Sequence, residues 1–133
     1  MLVIDASCLF EVVADTQGAE GIRRRLAADT DHAAPHLVEA EVLGVIRRQF
    51  LAGTLDHTAA AQAVDDLRAW PGERYGHRPL LTRAWDLRDT VRSWDALYVA
   101  LAEALGATLL TTDARLAAAR GLECRIEIVS AVD

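Results

Sequence analysis

The stretch Ser93–Leu116, SWDALYVALAEALGATLLTTDARL, predicts a helix, a one-glycine stop, a buried strand and a short second helix. Leu97, Ala100, Leu101, Ala104 and Leu105 recur at helical spacing and make one apolar stripe. Ser93 is a good N-cap residue, which puts Asp95 in the first turn of that helix. Gly106 fits the position just past the helix end, where glycine alone takes positive φ without steric cost. The apolar run Thr108–Thr112 follows and gives way at Asp113 to a second helical pattern over Ala114–Ala118. Two carboxylates therefore stand at the ends of rigid elements beside a short buried strand. In an open parallel sheet, ligands bind at the carboxyl ends of the strands.

The rest of the chain repeats this grammar. Leu2-Val3-Ile4 is a short apolar run ending at Asp5, and Leu9, Phe10, Val12 and Val13 then fall at helical spacing. A second helix is expected over Gln17–Asp29; its Arg23-Arg24-Arg25 triplet reads as a solvated face. A polar turn at Thr30–Pro35 contains a very short strand at Ala33-Ala34, and a third helix runs from about His36 to Leu51. There Leu37, Val38, Glu41, Val42, Val45 and Ile46 share nearly one face, so Glu41 is an acid among apolar neighbours, whereas Glu39 points to solvent. A fourth helix spans Thr58–Trp70, Glu73–Tyr75 reads as an edge strand, Leu80–Asp89 is helical, and Arg125–Val129 is a final strand. Strands alternating with helices imply an α/β domain over residues 1–133, with a mainly parallel central sheet and helices on both faces.

With 133 residues, 52% of them hydrophobic, the chain fits one domain with a sizeable core. No apolar run reaches membrane-spanning length, and MLVIDAS lacks the basic region of a signal peptide, so the chain is read as cytoplasmic and unattached to membrane. Cys8 and Cys124 match no zinc spacing and read as reduced thiols. The net charge of −6 argues against a constitutive nucleic-acid coat, yet all 14 strong bases are arginine, the side chain whose planar fork suits phosphate.

Asp5, Glu41, Asp95 and Asp113 each lie at an element boundary or on an apolar face. Each has an ordinary local explanation: a turn or N-cap at Asp5, the helix dipole at Asp95, an N-cap at Asp113, an arginine partner for Glu41. Brought together, they repel until a divalent cation neutralises them. An all-oxygen set favours Mg²⁺ or Mn²⁺ over Zn²⁺, which is the chemistry of a metal-activated water attacking a phosphodiester.

VIDAS (Val3–Ser7), EVLGVIRR (Glu41–Arg48), SWDALYVALAEALGATLLTTD (Ser93–Asp113) and ARL (Ala114–Leu116) together resemble the PIN-domain nucleases, specifically the VapC-type toxins of toxin–antitoxin pairs. The resemblance covers nearly the whole chain. It implies catalytic, metal-holding acids at Asp5, Glu41, Asp95 and Asp113, with Ser7 and Thr112 as supporting hydroxyls. It further implies a Mg²⁺- or Mn²⁺-dependent endoribonuclease, a homodimer silenced by a cognate VapB-type antitoxin. One departure is Gly44, where the family often has Asn. Arg47, Arg48, Arg74, Arg78 and Arg115 are the candidates for guiding RNA, and Trp70, Trp85 and Trp94 for a groove that takes an antitoxin segment.

Two other classes fit parts of the pattern. A phosphoryl-accepting or phosphatase domain also clusters acids at strand ends, but such sites normally use a lysine, and this chain has none. A catalytically inactive module of the same fold, binding RNA or protein, would not need the complete acid set.

Overall fold

A computed structural model describes residues 1–92 and 94–129. Five strands, β1 (Leu2–Ile4), β2 (His32–Pro35), β3 (Glu73–Tyr75), β4 (Thr108–Thr111) and β5 (Ile126–Ile128), form one sheet in the order β3-β2-β1-β4-β5. All four pairings are parallel; Leu2, Val3 and Ile4 face Thr108, Leu109 and Leu110 in register. Short runs of fully buried residues such as Leu2-Val3-Ile4 suit a parallel sheet covered on both faces.

The helices are α1 (Ala6–Val13), α2 (Ala19–Ala27), α3 (Leu37–Leu51), α4 (His57–Ala69), α5 (Leu81–Asp86), α6 (Asp95–Leu105) and α7 (Ala114–Ala117). α1 packs against α2, α3 and α4, whereas α6 lies across β1, β2 and β4 with α5 against it. Right-handed crossovers place these two groups on opposite faces, because the chain winds outward from β1 to β3 and then returns to start β4 on the other side of β1. The gap between β1 and β4 is thus the point where the winding reverses, the place where open α/β sheets take ligands.

Most expected elements form with boundaries within a residue or two. The strand at Ala33-Ala34 extends over His32–Pro35, and Leu80–Asp89 resolves into a 3₁₀ turn at Arg78–Leu80 followed by α5. Gly106 ends α6 with φ +62°, as the left-handed stop requires. The expected cap Ser93 lies outside the described residues. The apolar stripe of α6 is broader than its spacing suggested: every residue from Ala96 to Ala102 is buried, while Ala104 is exposed. Sheet on one side and α5 on the other enclose the first two turns.

Ion pairs tie the periphery to this core. Arg83 grips Glu103 with Nε and one terminal nitrogen (2.6 and 3.1 Å), joining α5 to α6. Arg25 makes the same two-pronged contact with Glu127 and joins α2 to β5, so the arginine triplet is not wholly a solvated face. Gly44 sits inside α3, where glycine costs about 1 kcal/mol against alanine. A Cβ placed there meets only the flexible Arg48 Nη1, at 3.7 Å. Gly44→Ala is therefore expected to raise stability by about 0.5–1 kcal/mol, read as a higher midpoint in urea unfolding at unchanged slope.

Candidate active site

Asp5 is where the site begins. Its amide donates to Leu110 O (3.2 Å), which carries the β1–β4 ladder one residue past the end of β1 and sets Asp5 beside Thr111. The backbone then turns and Asp5 becomes the N-cap of α1. Its Oδ1 accepts from Ser7 Oγ (2.6 Å) and the Cys8 amide (3.0 Å), and its Oδ2 accepts from Thr111 Oγ1. Three donors are what a carboxylate only 7% exposed needs. Thr111 Oγ1 also accepts from the Asp113 amide (3.0 Å), and the Thr112 amide donates to Ser7 Oγ (3.3 Å), so the ends of β1 and β4 are laced together.

The other acids arrive from three further segments. Asp113 caps α7, accepting from the Arg115 amide at 2.9 Å and from the Arg115 guanidinium at 3.2 and 3.3 Å. Asp95 opens α6, which is preceded by Trp94 without a side-chain cap bond. Glu41 lies in the second turn of α3, a helix that starts at the same sheet edge. His77 Nε2 accepts from the Leu37 amide (3.0 Å) and satisfies an otherwise open N–H at that helix start. Tyr98 Oη donates to Glu41 Oε1 at 2.6 Å. Asp5, Ser7, Glu41, Asp95, Tyr98, Asp113 and two apolar neighbours line one cavity of about 180 Å³.

The carboxyls share a field as well as a space. Burial holds Asp5 above the ordinary aspartate range, against the lowering effect of its three donors. Burial, and then the Asp5 and Asp113 charges, raise Asp95, with Arg92 and Arg115 pulling the other way. Glu41 is raised by burial and by the charges of Asp95 and Asp5, and eased down by its Tyr98 bond. Asp113 is the exception, held low by Arg115. The donor set is oxygen throughout, which suits hard cations. Among the described residues, no three of His, Cys, Asp or Glu converge to direct-ligation distance. A cation held here would keep waters between itself and some of the acids.

All four acids expected from the sequence are brought together, each also serving the local role open to it at Asp5 and Asp113. Of the two hydroxyls expected to support the acids, Ser7 bonds Asp5 directly. Thr111, not Thr112, bonds Asp5 through its side chain; Thr112 contributes its amide. The arginines separate. Arg115 stands on Asp113, and Arg92, which was not expected, lines a small cavity with Asp95, Asp113 and Arg115. Arg74 is committed elsewhere: its guanidinium donates to Trp70 O (2.5 Å), Gly72 O (2.7 Å) and Leu67 O (3.0 Å) and lies over the Trp70 ring. Arg47 and Arg48 are exposed about 9–10 Å along α3 from Glu41, and Arg78 is exposed at the turn after β3. Trp70 is packed into the core, whereas Trp85 (67% exposed) and Trp94 (62%) line an open apolar groove with Leu81, Ala84, Val91 and Leu97. Thr111, Tyr98, His77 and Arg92 escaped sequence reading; the strand register would have found Thr111, but the partners of Tyr98 and His77 lie 57 and 40 residues away.

Comparison with known proteins identifies the family and the fold. The family model of the PIN domain matches residues 2–122. The chain is 41% identical to ribonuclease VapC1 of Mycobacterium tuberculosis over 128 residues, 96% of each chain. It is 44% identical to ribonuclease VapC3 of the same organism over 89% of this chain and 86% of that one. It is 36% identical to ribonuclease VapC12 over 98% and 100%. The crystal structure of PAE2754 from Pyrobaculum aerophilum superposes with a TM-score of 0.66 at 22% identity, covering 88% of this chain and 82% of that one, which is a likeness of fold.

Carboxyls raised above their ordinary values destabilise the folded chain at neutral pH; the penalty is absent below the ordinary range and grows as pH rises through the raised values. Asp95→Asn removes one of the repelling charges. In the presence of chelator, the variant is expected to melt higher than wild type at pH 7, with the difference closing by about pH 4. A difference in melting temperature that does not change with pH would remove the charge on Asp95, raised by burial and by its acidic neighbours, as the cause.

Proposed function

This chain belongs to the PIN-domain family, alongside the VapC ribonucleases, and we propose that it is a Mg²⁺- or Mn²⁺-dependent endoribonuclease, the toxin of a toxin–antitoxin pair. The observation that carries the reading is the meeting of Asp5, Glu41, Asp95 and Asp113 around one cavity at the reversal point of the sheet. A divalent cation bound among these acids would supply an activated water and neutralise charge on the scissile phosphate. Mg²⁺ retains several waters, which suits carboxylates that share a cavity without closing on one point.

The chain's own residues supply the rest. Asp5 is the fixed member, its oxygens aimed by Ser7, the Cys8 amide and Thr111. Asp95 and Glu41, raised and mutually repelled, are the members with most to gain from a cation. Asp113 orients through Arg115 and its own helix start. Arg92 and Arg115 flank the acids and hold RNA phosphates, cations placed beside the site despite the acidic total. Arg78 stands at the same sheet edge; Arg47 and Arg48 reach only flanking nucleotides.

The protein acts as a homodimer, and a cognate VapB-type antitoxin silences it. The Trp85–Trp94 groove is the surface for an apolar antitoxin segment, since Trp94 directly precedes Asp95 and an occupant of the groove can extend a basic side chain into the acids.

The test is cleavage of a mixed RNA pool by antitoxin-free protein with Mg²⁺, with Mn²⁺ and with chelator. Cleavage is expected with either metal and not with chelator. Asp5→Asn and Asp95→Asn should each fall by about two orders of magnitude or more, the effect of losing about 3 kcal/mol of transition-state stabilisation. Full metal-dependent cleavage by either variant would overturn the site assignment; cleavage that survives chelation would overturn the metal.

A further inference from the structure

The four acids differ in how firmly they are held. Asp5 has three donors, and Asp113 is gripped by Arg115 from its own helix. Glu41 has a longer side chain and comes from the helical layer opposite to α6. Among the described residues its carboxylate accepts one hydrogen bond, from Tyr98, on Oε1. Tyr98 is 1% exposed, so its ring is fixed by the core around it, and it follows Asp95 by three residues on α6, one helical turn away on the same face. The bond therefore spans the two layers over the sheet edge and sets Glu41 against Asp95. It also leaves the two Glu41 oxygens unequal: Oε1 accepts from the phenol, and among the described residues Oε2 accepts no hydrogen bond.

We infer that Tyr98 is a positioning residue that presents Glu41 to the cavity through Oε2 alone and thereby tunes the site toward Mg²⁺ and Mn²⁺ against Ca²⁺. This rests on the metal-dependent reading above. Ca²⁺ fills six to eight positions flexibly and commonly takes both oxygens of a carboxylate, whereas Mg²⁺ demands a small octahedron. A carboxylate held through one oxygen by a buried phenol is fixed in orientation, and a cation that takes both oxygens must share that oxygen with the phenol or turn the carboxylate away from it. Without the hydroxyl, Glu41 is free to rotate and offer either oxygen or the pair, which loosens the geometry for the small ion and opens it for the large one.

The experiment is calorimetric titration of Mn²⁺ and of Ca²⁺ into wild type, Tyr98→Phe, Glu41→Gln and the double variant, with melting in chelator to establish that each is folded. Tyr98→Phe should weaken Mn²⁺ binding about tenfold, the lower end of what loss of a ligand's hydrogen-bond partner costs. Ca²⁺ binding should not weaken, so the Mn²⁺/Ca²⁺ affinity ratio falls about tenfold. In the Glu41→Gln background the same substitution should change neither ion's affinity. An unchanged ratio in Tyr98→Phe, or a Mn²⁺ loss that persists when Glu41 is already replaced, would overturn the inference, since a packing role alone shifts melting or both ions together. Wild type that binds no Mn²⁺ would overturn the metal centre itself, and this inference with it; that result is distinct from a wild type that binds Mn²⁺ and a Tyr98 variant that binds it equally well.

Discussion

A carboxylate cannot be buried at the end of a central strand unless donors are brought to it, and most of this fold can be read as the way Asp5 is supplied with them. An unpartnered buried carboxylate carries a large desolvation penalty. Here the donors come from two directions: Ser7 and the Cys8 amide from the first turn of α1, and Thr111 from the end of β4. The first pair requires that α1 start at once after β1. The second requires that β4 lie directly beside β1 and in the register observed. Placing β4 there forces the chain to reverse its winding after β3, and that reversal creates the cavity into which Asp95, Glu41 and Asp113 project.

Because the chain has no lysine, its strongly basic side chains are all guanidinium groups, and the structure divides them by geometry. Arg25 and Arg83 use two parallel nitrogens on a single carboxylate to fasten outlying elements. Arg74 reaches three carbonyl oxygens around the end of α4 and stacks on Trp70, whose ring occupies the space a Cβ at Gly72 would need. Arg88 lies flat on Trp85. A lysine ammonium, compact and strongly hydrated, would serve poorly in any of these places. Arg92 and Arg115, which adjoin the acids, make no such fastening contact among the described residues, apart from the Arg115 bond to Asp113.

How much of this was legible in the sequence follows from the range of the interactions. Helix α6, its glycine stop and β4 depend on spacing and on one residue's backbone freedom, and these were readable. The acids were readable because each is anomalous within its own ten residues: Glu41 among valines, Asp5 and Asp113 at the ends of apolar runs. What failed was long-range or depended on register. Thr111 and Thr112 are indistinguishable until Ile4 is known to face Leu110. Arg74 reads as a free base in a polar loop until the loop folds back over Trp70. Tyr98 looked like one more core residue of α6, and in volume it is, but its hydroxyl meets a side chain 57 positions away. Trp85 and Trp94 could not be told from Trp70 by composition, since exposure is decided by what covers α5.

The pairing of β1 with β4 also fixes when the acid cluster can be completed. The bond from Thr111 to Asp5 joins residues 106 apart, and Asp113 comes later still. While the chain is being made on a ribosome, its first strand therefore has no neighbour on that side, and Asp5 lacks a donor, until Thr111 has emerged. Contacts of such high sequence separation close last. An acid cluster organised in this way is incomplete until Asp113 has been made. The first acid to be made is thus among the last to be completed, because its second flank of donors is encoded 106 residues later.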